Sequence, residues 1–165
     1  MSYKQAYDLQ FRLADLRISK KIEDVILVLE HPPVITLGKF GRAENILASE
    51  EELANLRIEV CETNRGGDVS FHCRGQLILY PIMDMRARGG EVRRFMKGLE
   101  KALVETVNNY GITADPPGEH PGVWAGGKQL AAIGLHFKKG VSMHGISLNI
   151  DPPLKYFKFI NLCGL

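Results

Sequence analysis

Between residues 3 and 20 apolar side chains recur at Tyr7, Phe11, Ala14, Leu16 and Ile18, a spacing that predicts an amphipathic helix. The rhythm then changes. Val25–Leu29 is an unbroken apolar run rich in β-branched residues, the pattern of a strand buried on both faces. His31-Pro32-Pro33 ends it, because proline has no N–H to give a ladder. Val34–Leu37 reads as a second strand closed by Gly38. Residues 49–56 read as a short helix, with Ser49 as N-cap and Glu52 in the capping-box position. Residues 77–82 form another apolar strand. The longest helix is predicted over 91–110, with Val92, Phe95, Met96, Leu99, Leu103 and Val107 on one stripe and Gly111 as its stop. Residues 115–122, with three prolines and two glycines, read as a loop.

The last third predicts a β-hairpin: one arm over 129–137, a turn at Lys138-Lys139-Gly140, and a second arm over 141–150. In the second arm apolar residues fall at Val141 and Met143, then at Ile146, Leu148 and Ile150. The alternation breaks at Gly145, which predicts a β-bulge and places His144 with Ser147 and Asn149, opposite the apolar set. The order of elements predicts an α+β fold, a mixed and mainly antiparallel sheet flanked by helices. At 165 residues, with no linker or repeat, residues 1–165 read as a single domain.

Charge changes this picture little. A net charge of +2 without a dense Lys/Arg block gives no support for a nucleic-acid partner. Tyr3 to Lys21 lacks the apolar region of a signal peptide, and the longest apolar run is far too short to span a bilayer. No membrane partner is therefore expected. Three cysteines, Cys61, Cys73 and Cys163, cannot all pair internally, so the reading is free thiols in a reducing cytoplasm.

Four segments carry possible chemistry. In Arg65-Gly66-Gly67-Asp68 the adjacent glycines could form a backbone N–H pocket, though a glycine-rich turn with a surface arginine is the commoner use. His72 and Cys73 are neighbours and point to opposite faces of a strand, so they cannot act on each other. No Cys-x-x-Cys or His-x-x-x-His spacing occurs, so no metal is expected. Lys128 follows Gly126-Gly127 and opens an apolar strand. It is either a partly buried amine, usable as a general base once desolvated, or a solvated hairpin-end lysine. Cys163 is either a nucleophile or a small buried residue; Cys61 and Cys73 fit the second use better. Arg86, Arg88, Arg93, Arg94, Lys97 and Lys101 could dock an acidic carrier protein, or form the wet face of the long helix.

Read in order, seven segments resemble the octanoyltransferases of lipoic acid synthesis. They are residues 30–38 (Glu-His-Pro-Pro-Val-Ile-Thr-Leu-Gly), Arg65-Gly66-Gly67-Asp68-Val69, and His72 with Gly75-Gln76 and Tyr80-Pro81. Gly122-Val123-Trp124 follows, then Lys128 with Ala131-Ala132-Ile133-Gly134, His144-Gly145 with Leu148-Asn149, and Cys163-Gly164-Leu165. The resemblance implies the fold of the biotin and lipoate protein ligase catalytic domain. It implies transfer of an octanoyl group from octanoyl-acyl carrier protein to a lysine of a lipoyl domain, in 2-oxoacid dehydrogenase complexes and the glycine cleavage H protein. Cys163 would take the acyl group as a thioester, and Lys128 would be its acid/base partner. Arg65, Gly66, Gly67, His72, Gly75, Gln76, Ala132, Ile133, Gly134, His144 and Gly145 would bind the substrate. Ile133, Met143 and Tyr80 are candidates for the apolar slot. No cofactor is implied, since the donor thioester is already activated and no P-loop is present. An ATP-dependent lipoate ligase and a non-catalytic binder of carrier or lipoyl domains are the alternatives.

The chain departs from the family pattern in three places. It has Cys73-Arg74 where the family has a Gly-Pro pair, which predicts a bulky cation at the pocket. The family's strand before the first helix and its tail beyond the Cys-Gly-Leu segment are both expected to be missing.

Overall fold

Ser2 opens the first helix. Its hydroxyl accepts from the Gln5 N–H while the Gln5 side-chain oxygen accepts from the Ser2 N–H, a capping box. A computed structural model describes residues 1–116 and 121–161. Helix α1 is Tyr3–Ile18, and the residues it buries are Tyr3, Ala6, Gln10 and Ala14. Of the predicted stripe only Ala14 is fully buried, and Leu16 is exposed. The buried face combines small, aromatic and amide side chains, so hydropathy alone misplaced it.

Eight strands occur among the described residues: β1 (Val25–Leu29), β2 (Val34–Leu37), β3 (Glu59–Glu62), β4 (Val69–His72), β5 (Gln76–Ile82), β6 (Gly122–Ala125), β7 (Lys128–Lys138) and β8 (Val141–Asn149). Helix α2 (Glu50–Asn55) lies between β2 and β3, and α3 (Val92–Asn109) between β5 and β6. The capping box at Ser49 and Glu52 is present. One sheet has the order β1-β5-β8-β7-β6 with every pair antiparallel. The other has the order β3-β2-β4, parallel between β2 and β3 and antiparallel between β2 and β4. The expected mixed, mainly antiparallel α+β fold is therefore observed.

Helix α1 covers one face of the large sheet. Ala6 packs with Ile78 and Tyr80, and Ala14 with Ile82, Val141 and Met143. Helix α3 covers the other face through Leu103 and Val107, against Val123, Ala131, Ile133, Ile146 and Leu148. The small sheet has its own core of Ile35, Val69, Phe71 and Cys73, closed by Leu53 of α2 and by Phe159 and Ile160. Each large apolar side chain fully buried this way contributes on the order of 1.5–3 kcal/mol.

Three sequence expectations change. Strand β1 is half-buried on one face only; Ile26 and Val28 are exposed, because β1 is the sheet edge and no helix among the described residues covers that side of it. The hairpin arms pair without a slip from Ala131↔Leu148 to Lys138↔Val141, so there is no bulge at Gly145 between them. Val141 and Met143 face α1 whereas Ile146 and Leu148 face α3; a sheet covered on both sides produces the change of phase without an inserted residue. The register shift in this region lies between β6 and β7, at Val123/Trp124, and β6 itself is a strand the sequence pattern did not show. Both turns here use paired left-handed residues, Lys139-Gly140 and Gly126-Gly127, as two-residue hairpins require.

Candidate functional site

The Arg65–Asp68 loop between β3 and β4 lies directly on β7. The Gly66 N–H donates to the Leu135 carbonyl at 2.9 Å. A Cβ on Gly134 would stand 2.9 Å from the Gly66 oxygen, and one on Gly38 would overlap the Gly67 carbonyl. Glycine is needed at both places because backbone rests against backbone. The Arg65 guanidinium turns inward from this loop. Its Nε and Nη2 donate to Thr36 Oγ1 at 3.1 and 2.9 Å, and Nη2 also donates to the carbonyls of Thr36 and Asp68 at 2.7 and 2.8 Å. The Asp68 carboxylate accepts from the Arg42 N–H at 3.0 Å and from Asn45 Nδ2, which ties the loop to the chain after β2.

Between this loop, β4 and the strands β5, β7 and β8 is a cavity of about 410 Å³. That lies within the usual range of small-molecule sites, roughly 300–1,000 Å³. Ile78, Tyr80, Ile133, Leu135 and Ile146 give it an apolar wall, and Arg65, Asp68, His72 and His144 supply its polar corner.

Two histidines face this cavity uncharged. Burial, then the nearby Arg65 charge, holds His72 down to about 3. The same two causes in the same order hold His144 to about 3. Hydrogen bonds fix their tautomers. His72 Nδ1 donates to Gln76 Oε1 at 3.3 Å, and His144 Nε2 donates to Asn64 Oδ1 at 2.7 Å. A third, His31, is fully buried; its Nδ1 donates to the Met1 carbonyl at 3.0 Å and its Nε2 accepts from the Tyr80 hydroxyl at 2.8 Å. Burial lowers its pKa as well. Tyr3 stacks on His72 and Tyr7 on His144, so α1 seats both imidazoles.

His144 stands on the α1 side for a specific reason. Alternation along β8 would send it to α3 with Ile146 and Leu148. Its φ of 55° turns it to Tyr7 and Tyr80 instead. Its backbone N–H leaves the ladder and donates to Gln10 Oε1 at 2.6 Å. A Cβ on Gly145 would overlap the Leu79 carbonyl, so only glycine allows β5 this close. His144 and Ser147 thus share the cavity, as the sequence suggested, although the cause is a left-handed residue and not a bulge.

Of the residues predicted to bind substrate, Arg65, Gly66, Gly67, His72, Ala132, Ile133, Gly134, His144 and Gly145 line the cavity. Gly75 and Gln76 do not. Gly75 makes the left-handed turn between β4 and β5, where its carbonyl accepts from the N–H groups of Ile150 and Asp151. Gln76 is buried and orients His72. Met143 packs with Ala14, Ile82 and Val141 and does not line the cavity that Ile133 and Tyr80 line. Arg74 is exposed and does not line it, so the expected bulky cation is turned to solvent. Lys128 is also exposed, at the end of the Gly126-Gly127 turn. Its neighbour Gln129 lines the cavity, and Lys128 does not. The partial burial considered for it is not supplied by the described residues. Cys163 lies outside them. The other two thiols are not poised for attack: burial pushes Cys73 up to about 11 and also raises Cys61.

Sequence reasoning missed Gln10, Tyr3, Tyr7 and Asn64, which seat the histidines. The one available signal was Gln10, a polar residue in register with Tyr3, Ala6 and Ala14 on a buried face.

The chain matches known proteins over nearly all of its length. The family model of the lipoyl protein ligase A/B catalytic domain matches residues 2–163. The octanoyltransferase of Caldicellulosiruptor saccharolyticus is 42% identical over 167 residues, covering 100% of this chain and 71% of its own length. That of Alkaliphilus metalliredigens is 43% identical over 164 residues, covering 99% and 75%. Among solved structures, lipoate-protein ligase A bound with ATP superposes with a TM-score of 0.71 at 16% identity, over 92% of this chain and 66% of that one. A chain from an archaeal lipoylation system of Thermoplasma acidophilum, a bi-partite lipoate protein ligase and its E2 lipoyl domain, gives 0.70 at 16% identity over 94% and 62%. These two likenesses establish the fold. With sequence matches running through nearly all of its length, the chain belongs to the family of lipoyl protein ligase A/B catalytic domains.

Proposed function

We propose that this protein is an octanoyltransferase that moves an octanoyl group from octanoyl-acyl carrier protein to a lysine of a lipoyl domain, through a thioester on Cys163. The observation that carries the reading is the cavity: an apolar wall ending at two imidazoles that burial keeps neutral. An alkyl chain fits along the apolar wall, and the acyl carbonyl goes to the polar corner. The octanoyltransferase relatives, matched over nearly the whole of this chain, support the acyl group named.

The chemistry balances without a further reactant. The Lys128 amine takes the Cys163 thiol proton, and the thiolate sulfur attacks the thioester carbonyl carbon. The tetrahedral oxyanion collapses, the carrier C–S bond breaks, and the carrier thiolate takes the proton back from Lys128. The target lysine, neutral, then attacks the Cys163 thioester. Its excess proton passes through Lys128 to the departing Cys163 thiolate. One thioester is exchanged for another and then for an amide, so the sequence runs downhill without adenylation. The proposed recipients are the lipoyl domains of 2-oxoacid dehydrogenase complexes and the glycine cleavage H protein, in the cytoplasm. No helix among the described residues is long and apolar enough to cross a membrane.

The test is transfer from octanoyl-carrier protein to a purified lipoyl domain without ATP. Turnover abolished by Cys163→Ala is expected. Activity that requires ATP and survives Cys163→Ala would assign the chain to the ATP-dependent ligase reaction instead, and binding of either partner without transfer would make it a non-catalytic binder.

A further inference from the structure

The octanoyl-transfer reading leaves open how the donor reaches the cavity, and the inference below rests on that reading. Phe40, 69% exposed, and Val92, 38% exposed, both line the cavity and both meet solvent, so they stand at its open edge. Cations surround them. Lys39 places its Nζ 5.9 Å from the Phe40 ring centre, and burial first and then the Lys39 charge lower the pKa of His136. On α3, whose Val92 and Met96 are cavity wall, Arg93 and Lys97 are exposed one turn apart, and the exposed Arg94 lines a second pocket with Arg88 and Glu91. Residues 86–101 contain six basic and two acidic side chains, a balance of +4 in a chain whose total is +2. The remaining residues together carry −2, so positive charge is concentrated in this segment. Arg86 lies over Gly140, which carries the patch toward the exposed Lys139 of the β7–β8 turn.

Part of this charge is spent within the molecule: Arg86 pairs with Asp84 and Arg88 with Asp24, both at 2.7 Å. Farther along α3, Lys101 pairs with Glu105 at 3.7 Å. Arg93, Arg94 and Lys97 have no salt bridge among the described residues. Like charges within one helical turn cost stability. Two apolar side chains inside a cationic rim have the anatomy of a protein interface, and rim charges of one sign select and steer a partner of the opposite sign. A second copy of the chain would set positive against positive. Nucleic acid would leave the apolar pair unused.

We propose that Phe40 and Val92, with Lys39, Arg93 and Lys97 beside them and Arg94 farther round α3, form the docking surface for an acidic face of the protein that carries the donor acyl thioester. The carrier seats over the mouth and its acyl chain passes between Phe40 and Val92 into the cavity.

The experiment compares the wild type with the triple variant Arg93→Glu, Arg94→Glu, Lys97→Glu, using octanoyl-carrier protein and a small uncharged octanoyl thioester as donors. Carrier binding is titrated directly in parallel. The expected result is a KM for the carrier-borne donor raised about tenfold or more with kcat little changed, equivalent to about 1.4 kcal/mol or more of lost binding. Wild-type carrier affinity weakens with salt while the variant's does not, and turnover of the small donor is the same in both. Equal carrier binding by the two proteins would overturn the proposal. So would equal loss with both donors, a loss confined to the lipoyl-domain step, or binding of an RNA oligonucleotide in place of the carrier. Should the wild type use neither donor, the transfer reading fails, and the titration alone decides the docking surface.

Discussion

At φ 55°, His144 holds a backbone conformation that costs a side chain of its size on the order of 1–3 kcal/mol. The hydrogen bond from its N–H to Gln10 Oε1 offsets part of that cost and keeps the ring on the cavity side. Gln10→Leu removes the acceptor without changing the volume much and leaves a buried N–H unpaired. The expected loss is about 1–3 kcal/mol, measured by urea unfolding, together with slower transfer. Gln10→Glu retains the oxygen and should recover part of both. None of this was legible in the sequence. Alternation identified His144 as out of step, but a left-handed φ and a bulge leave the same trace in a hydropathy pattern, and the acceptor is 134 residues away in the chain.

The element that shapes the cavity is the Arg65–Asp68 loop against β7. Gly134→Ala would bring a Cβ to 2.9 Å from the Gly66 oxygen and 3.5 Å from Arg65 Cδ. The loop must lift or the strand must shift, at a cost of about 1–3 kcal/mol. Because the moved atoms are cavity wall, kcat/KM for the octanoyl donor should fall by about tenfold or more. Steady-state kinetics beside a urea titration checks both. A variant with full activity and full stability would show that the loop does not rest on the strand. This packing could be anticipated only in part. The glycines at 66, 67 and 134 stood out as a pattern, yet a glycine shows only that something approaches closely. The approaching group, here another backbone segment, depends on the tertiary fold. The helices were easier to read, since apolar spacing and the capping box at Ser49 are local signals. Edge strand β1 was misread because a run of apolar residues does not reveal that no helix covers one side.

At the scale of the molecule, acid should loosen this fold through its buried imidazoles. His72 and His144 titrate near 3 when folded, against about 6.5 when unfolded. Between those values the unfolded chain binds protons that the folded chain does not, so stability is full above pH 6.5 and falls as pH drops toward 3. From pH 6.5 to pH 4.5 the loss is on the order of 2–3 kcal/mol per histidine. Asp84, held at about 2 by its hydrogen bond to Arg86, adds to the loss below about pH 4. Urea midpoints across this range should fall in the wild type and flatten in His72→Asn, His144→Asn; a flat wild-type profile would mean that these rings are not buried neutral. The polar corner that holds these rings is where the acyl carbonyl goes in the proposed reaction, whose nucleophile and base were named from sequence motifs. The most direct test of that assignment is intact and peptide mass spectrometry after mixing the protein with octanoyl-carrier protein in the absence of acceptor. The expected result is one octanoyl group on the peptide bearing Cys163, released as the amide when a lipoyl domain is added. No adduct on Cys163, or an adduct that a lipoyl domain does not discharge while turnover continues, would contradict the account.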